Sequence, residues 1–201
     1  MRLAAGLVEP QRMTESQRAM TTPWTRRSFL MACLGATAVL ARPALTHAAE
    51  TRGPAARLTL YNIHTREAAT IVYRDATGSY DSAALHRLDY LLRCHFTDEV
   101  APIDVRVIEF LSAVDRALTG DREIHIVSGF RSSAYNNWLV RHTSGVAARS
   151  LHLEGRAIDV RFPGMPLREI RRAALAVGGG GVGYYPNSDF VHLDSGRVRS
   201  W

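Results

Sequence analysis

The chain has 201 residues, of which 46% are hydrophobic and 22% are charged. This balance excludes an intrinsically disordered protein, and the length suffices for one domain whose core needs no disulfide. The formal net charge is +6, but residues 1–49 contribute six arginines against two glutamates. The remainder holds 19 basic and 17 acidic residues, so the basic surface expected of a nucleic-acid-binding domain is missing and no nucleic-acid partner is expected.

Residues 1–49 have the features of an export signal. Arg26 and Arg27 precede a short apolar run at 29–41, and a basic residue and small residues follow at 42–49. This order resembles a twin-arginine signal, and the run is too short to remain as a membrane anchor. We therefore expect recognition by the twin-arginine export machinery, cleavage and a periplasmic product. An uncleaved N-terminal helix is the alternative, and the residues before Thr25 are compatible with an over-extended gene start.

Residues 50–56 are interpreted as a linker and residues 57–201 as one domain. Runs of β-branched and aromatic residues around a polar turn predict a hairpin at 57–63 and 68–74. Apolar residues at helical spacing and alternating apolar residues predict the other elements. The expected helices are 81–94, 104–118, 132–142 and 167–177, and the expected strands are 124–127, 157–162, 181–185 and 190–193. We predict an α+β fold, with a small, mostly antiparallel sheet covered by helices on one face.

The segment from Ser150 to Asp159 carries the strongest chemical signal. It offers the imidazole of His152 and the carboxylate of Asp159, with Gly155 between them to turn the backbone. Residues 157–162 alternate, which directs Asp159 away from the apolar side chains of the same strand. A site residue facing away from the core is placed to meet a ligand.

A second polar group follows in the segment that ends the predicted sheet. His192 lies in the strand, and Asp189 precedes it by three residues. Because side chains alternate along a strand, Asp189 has the opposite parity and can join His192 only from the turn before the strand begins.

Two histidines and one aspartate are a suitable ligand set for catalytic zinc, which keeps a fourth position open for water. Zinc lowers the pKa of that water, and a nearby carboxylate can relay its proton to a leaving amine. The ligands would be His152, Asp159 and His192, and the relay would be Asp189. Any one of these histidines alone is more often structural, so the joint pattern carries the prediction.

These residues resemble a known signature. Ser150-x-His152-x-x-Gly155-x-Ala157-x-Asp159, followed by Asp189-x-x-His192, is similar to that of the LAS zinc peptidases, which include D-Ala-D-Ala carboxypeptidases and hedgehog-like domains. The region from about Leu58 to Trp201 resembles the MepK-type murein endopeptidase branch. Its further marks are Leu60-Tyr-Asn-Ile-His64, Ser128-Gly-Phe-Arg131-Ser132, Gly181-Val-Gly-Tyr-Tyr185 and Phe190-Val-His-Leu-Asp194.

The resemblance implies a hedgehog/D-Ala-D-Ala peptidase-like fold with zinc held by His152, Asp159 and His192. It also implies that Asp189, where many relatives have Glu, is the general base. Arg131 matches an arginine that can bind a substrate carbonyl or carboxylate and stabilise an oxyanion. The alternative for Arg131 is a salt bridge that braces its loop.

The sequence indicates the roles of several other polar residues less strongly. Asp194 has two open interpretations, support for a zinc-ligand imidazole or a pair with a nearby arginine. Glu154 is interpreted as a solvated carboxylate, although it could be a rival base. His125 is expected to be structural. The remaining histidines have no partner at ligand spacing and are expected at the surface: His64, His86, His95 and His142.

The function predicted from sequence is an exported zinc metallopeptidase that acts on peptidoglycan stem peptides. The resemblance favours a murein endopeptidase, including one that cuts diaminopimelate–diaminopimelate links. A D,D- or L,D-carboxypeptidase that trims stem peptides is the alternative within the same chemistry. A non-catalytic, zinc-containing wall-binding module is the alternative from another class, and Asp189 argues against it because binding needs no base. A small-molecule amidase is disfavoured by the export signal.

Overall fold

The computed structural model of the protein describes residues 54–118, 120–143 and 145–201. The predicted twin-arginine signal at 1–49 lies outside these residues, as does most of the predicted linker. Within the described ranges, every helix is too short or too polar to cross a lipid bilayer.

The described domain has four α-helices and seven β-strands. The helices are α1 Ser82–Leu91, α2 Val105–Leu118, α3 Ser133–His142 and α4 Leu167–Val177. The strands are β1 Ala56–Asn62, β2 Ala68–Arg74, β3 Glu123–Ser128, β4 Ala157–Arg161, β5 Gly181–Tyr185, β6 Phe190–Asp194 and β7 Arg199–Ser200. The predicted α+β class is confirmed, and the predicted hairpin is β1–β2.

One sheet contains all seven strands, in the order β2-β1-β3-β4-β6-β5-β7. Most neighbours are antiparallel, as predicted, but β1 pairs with β3 and β5 pairs with β7 in parallel. β1 and β3 are distant in the chain, and β6 lies between β5 and β7 in the sequence. Local sequence patterns therefore could not predict either parallel pair. The sequence also gave no indication of the short β7 or of the 3₁₀ helix Leu151–Glu154.

The helices begin and end where side-chain chemistry supports it. The carboxylate of Asp81 accepts hydrogen bonds from the backbone N–H groups of Ala83 and Ala84 and so caps α1. Ser132 caps α3 by accepting from the N–H of Tyr135. Gly178 ends α4 in the left-handed conformation, with φ of 67°.

The two faces of the central strands differ in character. Ile158 and Val160 of β4, with Val191 and Leu193 of β6, are buried in the hydrophobic core beneath the helices. The alternate positions belong to the opposite face, where Asp159 of β4 stands directly beside His192 of β6. Arg161 continues that row and is paired with His125 of β3. The sheet thus divides apolar packing residues from a row of ionisable ones.

Candidate active site

Three side chains converge on the polar face of the sheet. His152 comes from the 3₁₀ helix Leu151–Glu154, Asp159 from β4 and His192 from β6. Nε2 of His152 lies 3.2 Å from Oδ1 of Asp159 and 3.2 Å from Nδ1 of His192, and the latter two atoms are 2.7 Å apart. Among the described residues, this is the one group of three such side chains whose ligand atoms all lie within 4.8 Å of one another.

The outer atom of each of these side chains is held by the protein. Nδ1 of His152 donates to the backbone carbonyl of Gly129 at 2.7 Å. Because a carbonyl only accepts, the proton sits on Nδ1 and leaves a lone pair on Nε2. Nε2 of His192 lies 3.2 Å from Oδ2 of Asp194, which orients its ring in the same manner.

This donor set fits a tetrahedral metal ion. Bonds of about 2.0–2.1 Å in tetrahedral geometry place neighbouring ligand atoms roughly 3.3 Å apart. The two separations from Nε2 of His152 are close to this value at 3.2 Å, and the 2.7 Å between His192 and Asp159 is shorter. Nitrogen and carboxylate oxygen ligands suit zinc, and all three side chains are buried. The inner atoms of the three residues could therefore hold one ion while their outer atoms keep their protein partners.

Electrostatics in the absence of an ion point to the same position. Burial opposes a charge on His192, but hydrogen bonds to Asp159 and Asp194 outweigh it and raise its pKa to about 9. Burial likewise opposes ionisation of Asp159, but His152 and His192 hold its pKa well below the usual range. A proton between Nδ1 of His192 and Oδ1 of Asp159 would thus occupy the space that a metal ion needs.

Arg131 borders the three-residue group. Its Nη2 donates to Oδ2 of Asp159 at 2.5 Å, and its Nε donates to Oγ of Ser128 at 2.9 Å. Its backbone N–H also donates to the carbonyl of His152 at 3.1 Å. The guanidinium therefore makes a salt bridge, as one interpretation expected, and it braces the candidate ligand Asp159.

Asp189 lies in the turn before β6, at φ of 55°, as the parity argument required. Its carboxylate accepts from Nη1 of Arg161 at 3.0 Å and is 65% exposed. Because Arg161 follows Asp159 by two positions on one strand, Asp189 lies on the polar face of the sheet. The structure does not join it by hydrogen bonds to the three candidate ligands.

Comparison with known proteins adds independent evidence. Residues 47–201 match the family model described as peptidoglycan L,D-endopeptidase MepK. The chain belongs to the MepK family. Relatives of that name from Escherichia coli strain K12 and Shigella flexneri are each 38% identical over 144 residues, or 72% of this chain and 79% of theirs. A relative from Haemophilus influenzae is 38% identical over 145 residues, which are 72% of this chain and 77% of that relative. The resemblance noted from sequence is confirmed.

Two contacts that support this MepK-family site were not predicted from the sequence. The carbonyl of Gly129 binds His152, and the ring of Trp201 lies with its centroid 5.4 Å from that of His192. Trp201 also donates from Nε1 to the hydroxyl of Tyr185 at 2.8 Å. A backbone carbonyl leaves no mark in a sequence, and a tryptophan nine residues from His192 has no fixed relation to it without the β7 pairing.

The alternatives left open for two carboxylates are resolved by their contacts. Asp194 contacts His192 and also pairs with Arg199, whose Nη2 lies 2.7 Å from Oδ2, so it makes the contact that each interpretation required. Glu154 pairs with Arg156 at 2.9 Å and is largely exposed, which agrees with a solvated carboxylate.

Gly155 should be essential for the position of His152. Its φ is 64°, and a Cβ there would lie 2.2 Å from the backbone oxygen of Pro102. Gly155→Ala should lower the free energy of unfolding by well over the ~1–2 kcal/mol that left-handed backbone alone costs. Gly164→Ala is the matched control, since its φ is 75° and no atom lies within 4 Å of the added Cβ. Thermal unfolding measures both, and equal shifts would contradict the prediction.

His95 corrects one expectation, since it is partly buried and stacks on His64 with ring centroids 3.8 Å apart. Burial, and then the charges of His64 and Arg131, lower its pKa from 6.5 to about 4. The unfolded chain therefore binds more protons between these values, so stability should fall as pH falls from 6.5 to 4. His95→Gln should reduce that fall in melting temperature.

His86→Gln is the control for this pH dependence, because the His86 side chain is 82% exposed. Melting temperatures of the three proteins at pH 7 and pH 5 are the measurement. An unchanged pH dependence in His95→Gln would show that burial of this imidazole does not contribute to the loss of stability at low pH.

Proposed function

We propose that this chain is an exported, zinc-dependent peptidase that hydrolyses peptide cross-links in peptidoglycan. The proposal rests on one observation above all, the convergence of His152, Asp159 and His192 in a member of the MepK family. The names of its relatives support an L,D-endopeptidase of peptidoglycan. That it cuts between cross-linked stems, including direct diaminopimelate–diaminopimelate links, rests on the motif resemblance in the sequence.

His152, Asp159 and His192 would hold the ion. Zinc, when bound, polarises a carbonyl and lowers the pKa of water. Asp189 takes the proton from the attacking water and passes it to the leaving amine. Its ion pair with Arg161 is largely exposed, and such pairs contribute only about 0–1 kcal/mol, so the carboxylate can exchange partners at little cost.

Arg131 stabilises the negative charge that develops on the scissile carbonyl oxygen. Its Nε and Nη2 are engaged by Ser128 and Asp159, which hold the planar guanidinium in one orientation. A donor held in place before the reaction needs no reorganisation when charge develops, which is the condition for effective stabilisation of an oxyanion.

Export would proceed through the twin-arginine machinery and deliver the peptidase to the periplasm. The support is the pair Arg26-Arg27 ahead of a short apolar run. Replacing both arginines by lysine should keep the charge but retain the chain in the cytoplasm, as fractionation of producing cells would show. Periplasmic delivery of that variant would contradict this part of the proposal.

The decisive experiment compares zinc-loaded wild type with Asp189→Ala on purified sacculi. Mass spectrometry of the released muropeptides would name the bond that is cut, and loss of release in the variant would support Asp189 as the base. Asp121→Ala is the matched control, because Asp121 is also exposed, also at positive φ and also paired with an arginine, Arg57. It should release peptides like the wild type.

Each alternative has its own outcome in this experiment. Release of terminal D-amino acids without loss of cross-links would indicate a carboxypeptidase. Equal and negligible release by wild type and Asp189→Ala, with zinc bound to both, would indicate a wall-binding module instead of an enzyme. Full activity in Asp189→Ala would remove Asp189 from the mechanism and leave the peptidase assignment intact.

A further inference from the structure

A row of rings in mutual contact, here called the aromatic row, lies beside the candidate active site. It consists of His64, His95, Phe96, Tyr135, Trp138 and His142. Successive ring centroids are 3.8 Å apart at the His64–His95 end, 4.9 and 5.0 Å around Tyr135, 6.2 Å from Tyr135 to Trp138 and 4.6 Å at the His142 end. The rings form a continuous series, not scattered contacts.

Part of the row is open to solvent, although Tyr135 also packs against the hydrophobic core. Phe96 is 55% exposed and Trp138 is 40% exposed. Tyr135, Trp138 and His142 share one face of α3, a spacing that normally packs against a core. Large exposed aromatic groups of this kind mark interaction sites.

The part of the row from His64 to Tyr135 lies next to the loop that carries Arg131. Tyr135 follows Arg131 by four residues, and its backbone N–H donates at 3.2 Å to Oγ of Ser132, the residue directly after Arg131. His64 lies 3.1 Å from the carbonyl of Val127, at the start of the loop that carries Gly129 and Arg131. A polymer bound along the row would therefore lead into the site.

The platform beneath the row is held in place before binding. Ser132 caps α3, and Nδ2 of the buried Asn136 donates to the carbonyls of Ala147 and Ala148, each at 3.3 Å. Rigid aromatic side chains on a fixed helix lose little conformational entropy when they bind.

We propose that the aromatic row binds the glycan strand of peptidoglycan and so brings the attached stem peptides to the site. This inference rests on the proposed function. The apolar faces of pyranose rings stack on aromatic rings, while the Tyr135 hydroxyl and the imidazole of His142 can meet sugar hydroxyls. The helix residues Ser133–His142 include no carboxylate, so the anionic groups of the wall are not repelled from α3.

A membrane surface fits this row less well. Half of its rings are imidazoles, and a helix that inserts into a lipid interface presents a broad apolar face instead. α3 presents only a narrow ring-bearing strip beside polar residues such as Asn137 and Arg141. The chemistry therefore favours a ligand that is both flat and rich in hydroxyl groups.

The test uses the purified chain with Trp138→Ala, Phe96→Ala and the double variant. Binding to glycan strands stripped of their peptides should weaken about 3- to 10-fold for each ring removed, and Trp138→Phe should recover most of the loss. On intact sacculi the apparent KM should rise. Turnover of a soluble, sugar-free, cross-linked peptide should not change, because the row lies outside the reacting group.

Tyr90→Ala is the control, since Tyr90 is 52% exposed but lies on α1 outside the row. It should bind glycan like the wild type. Equal glycan binding by wild type and the double variant would overturn the proposal. So would binding to anionic phospholipid vesicles that is lost in the same variants while glycan is not bound.

Failure of this inference and failure of the proposed function are distinguishable. If wild type leaves the sugar-free cross-linked peptide intact but binds glycan through Trp138, the peptidase assignment fails. The proposal that the aromatic row binds glycan then still stands. If the peptide is cut and glycan binding is absent, the peptidase assignment stands and the row does not bind glycan.

Discussion

Asp159→Asn should abolish both metal binding and hydrolysis. The substitution keeps the shape of the side chain but removes the one negative charge among the three candidate ligands, a charge that also lies against Arg131. The loss of peptide release should exceed the ~10–100-fold effect typical of residues that only support a ligand. Metal content after dialysis, measured by mass spectrometry, should fall from one equivalent to near zero.

Asp115→Asn is the control for this variant. Asp115 is also a buried aspartate, but it lies on α2, and burial raises its pKa. An amide should replace it at little cost, and metal content and turnover should match the wild type. Normal zinc content in Asp159→Asn would contradict the proposed ligand set, whatever its activity.

Arg131→Gln should lower kcat by about 10²–10³-fold, the usual effect of removing a donor to a developing oxyanion. The same change removes the brace on Oδ2 of Asp159, so zinc affinity should also fall, by about 10–100-fold. These two effects separate when kcat is measured at increasing zinc. A residue that only braces the loop would recover full kcat at saturating zinc, whereas a catalytic one would not.

Arg93→Gln is the matched control for Arg131→Gln. Arg93 is a similarly buried arginine, but it pairs with Glu67 and Asp98 instead of with a candidate ligand. Its loss should reduce the free energy of unfolding, since its hydrogen bonds to Glu67, Asp98 and the carbonyl of Tyr90 are removed. Its kcat and zinc dependence should remain those of the wild type. Recovery of kcat in Arg131→Gln at high zinc would assign Arg131 to bracing alone.

Much of the fold could be read from the sequence because its signals are local. The range predicted for α4 is the one observed, since Pro166 precedes an amphipathic run that Gly178 ends. The ends of α3 follow from Ser132 as its cap, and the hairpin from two runs of strand-forming residues around a short turn. The parallel pairing of β1 with β3 was missed, because it depends on how distant segments pack together.

The candidate site likewise combines a local relation that the sequence predicts with contacts that only the folded sheet creates. His152 and Asp159 lie seven residues apart, and a turn at Gly155 suffices to relate them. The contact of His192 with Asp159 depends instead on the register of β4 and β6, which the whole sheet sets. His95 was expected at the surface because nothing near it in the sequence could cover it, and the stacking with His64 comes from a distant loop.

By itself the sequence determined the residue types that suit zinc, the family resemblance and the strand parity that directs Asp159 away from the core. The tertiary structure alone decided that Gly129 holds His152, that Arg161 holds Asp189 and that six rings form the aromatic row. The physical reason is the range of the interactions. Capping, turns and side-chain alternation act over a few residues, whereas these contacts join segments that meet only when the core packs.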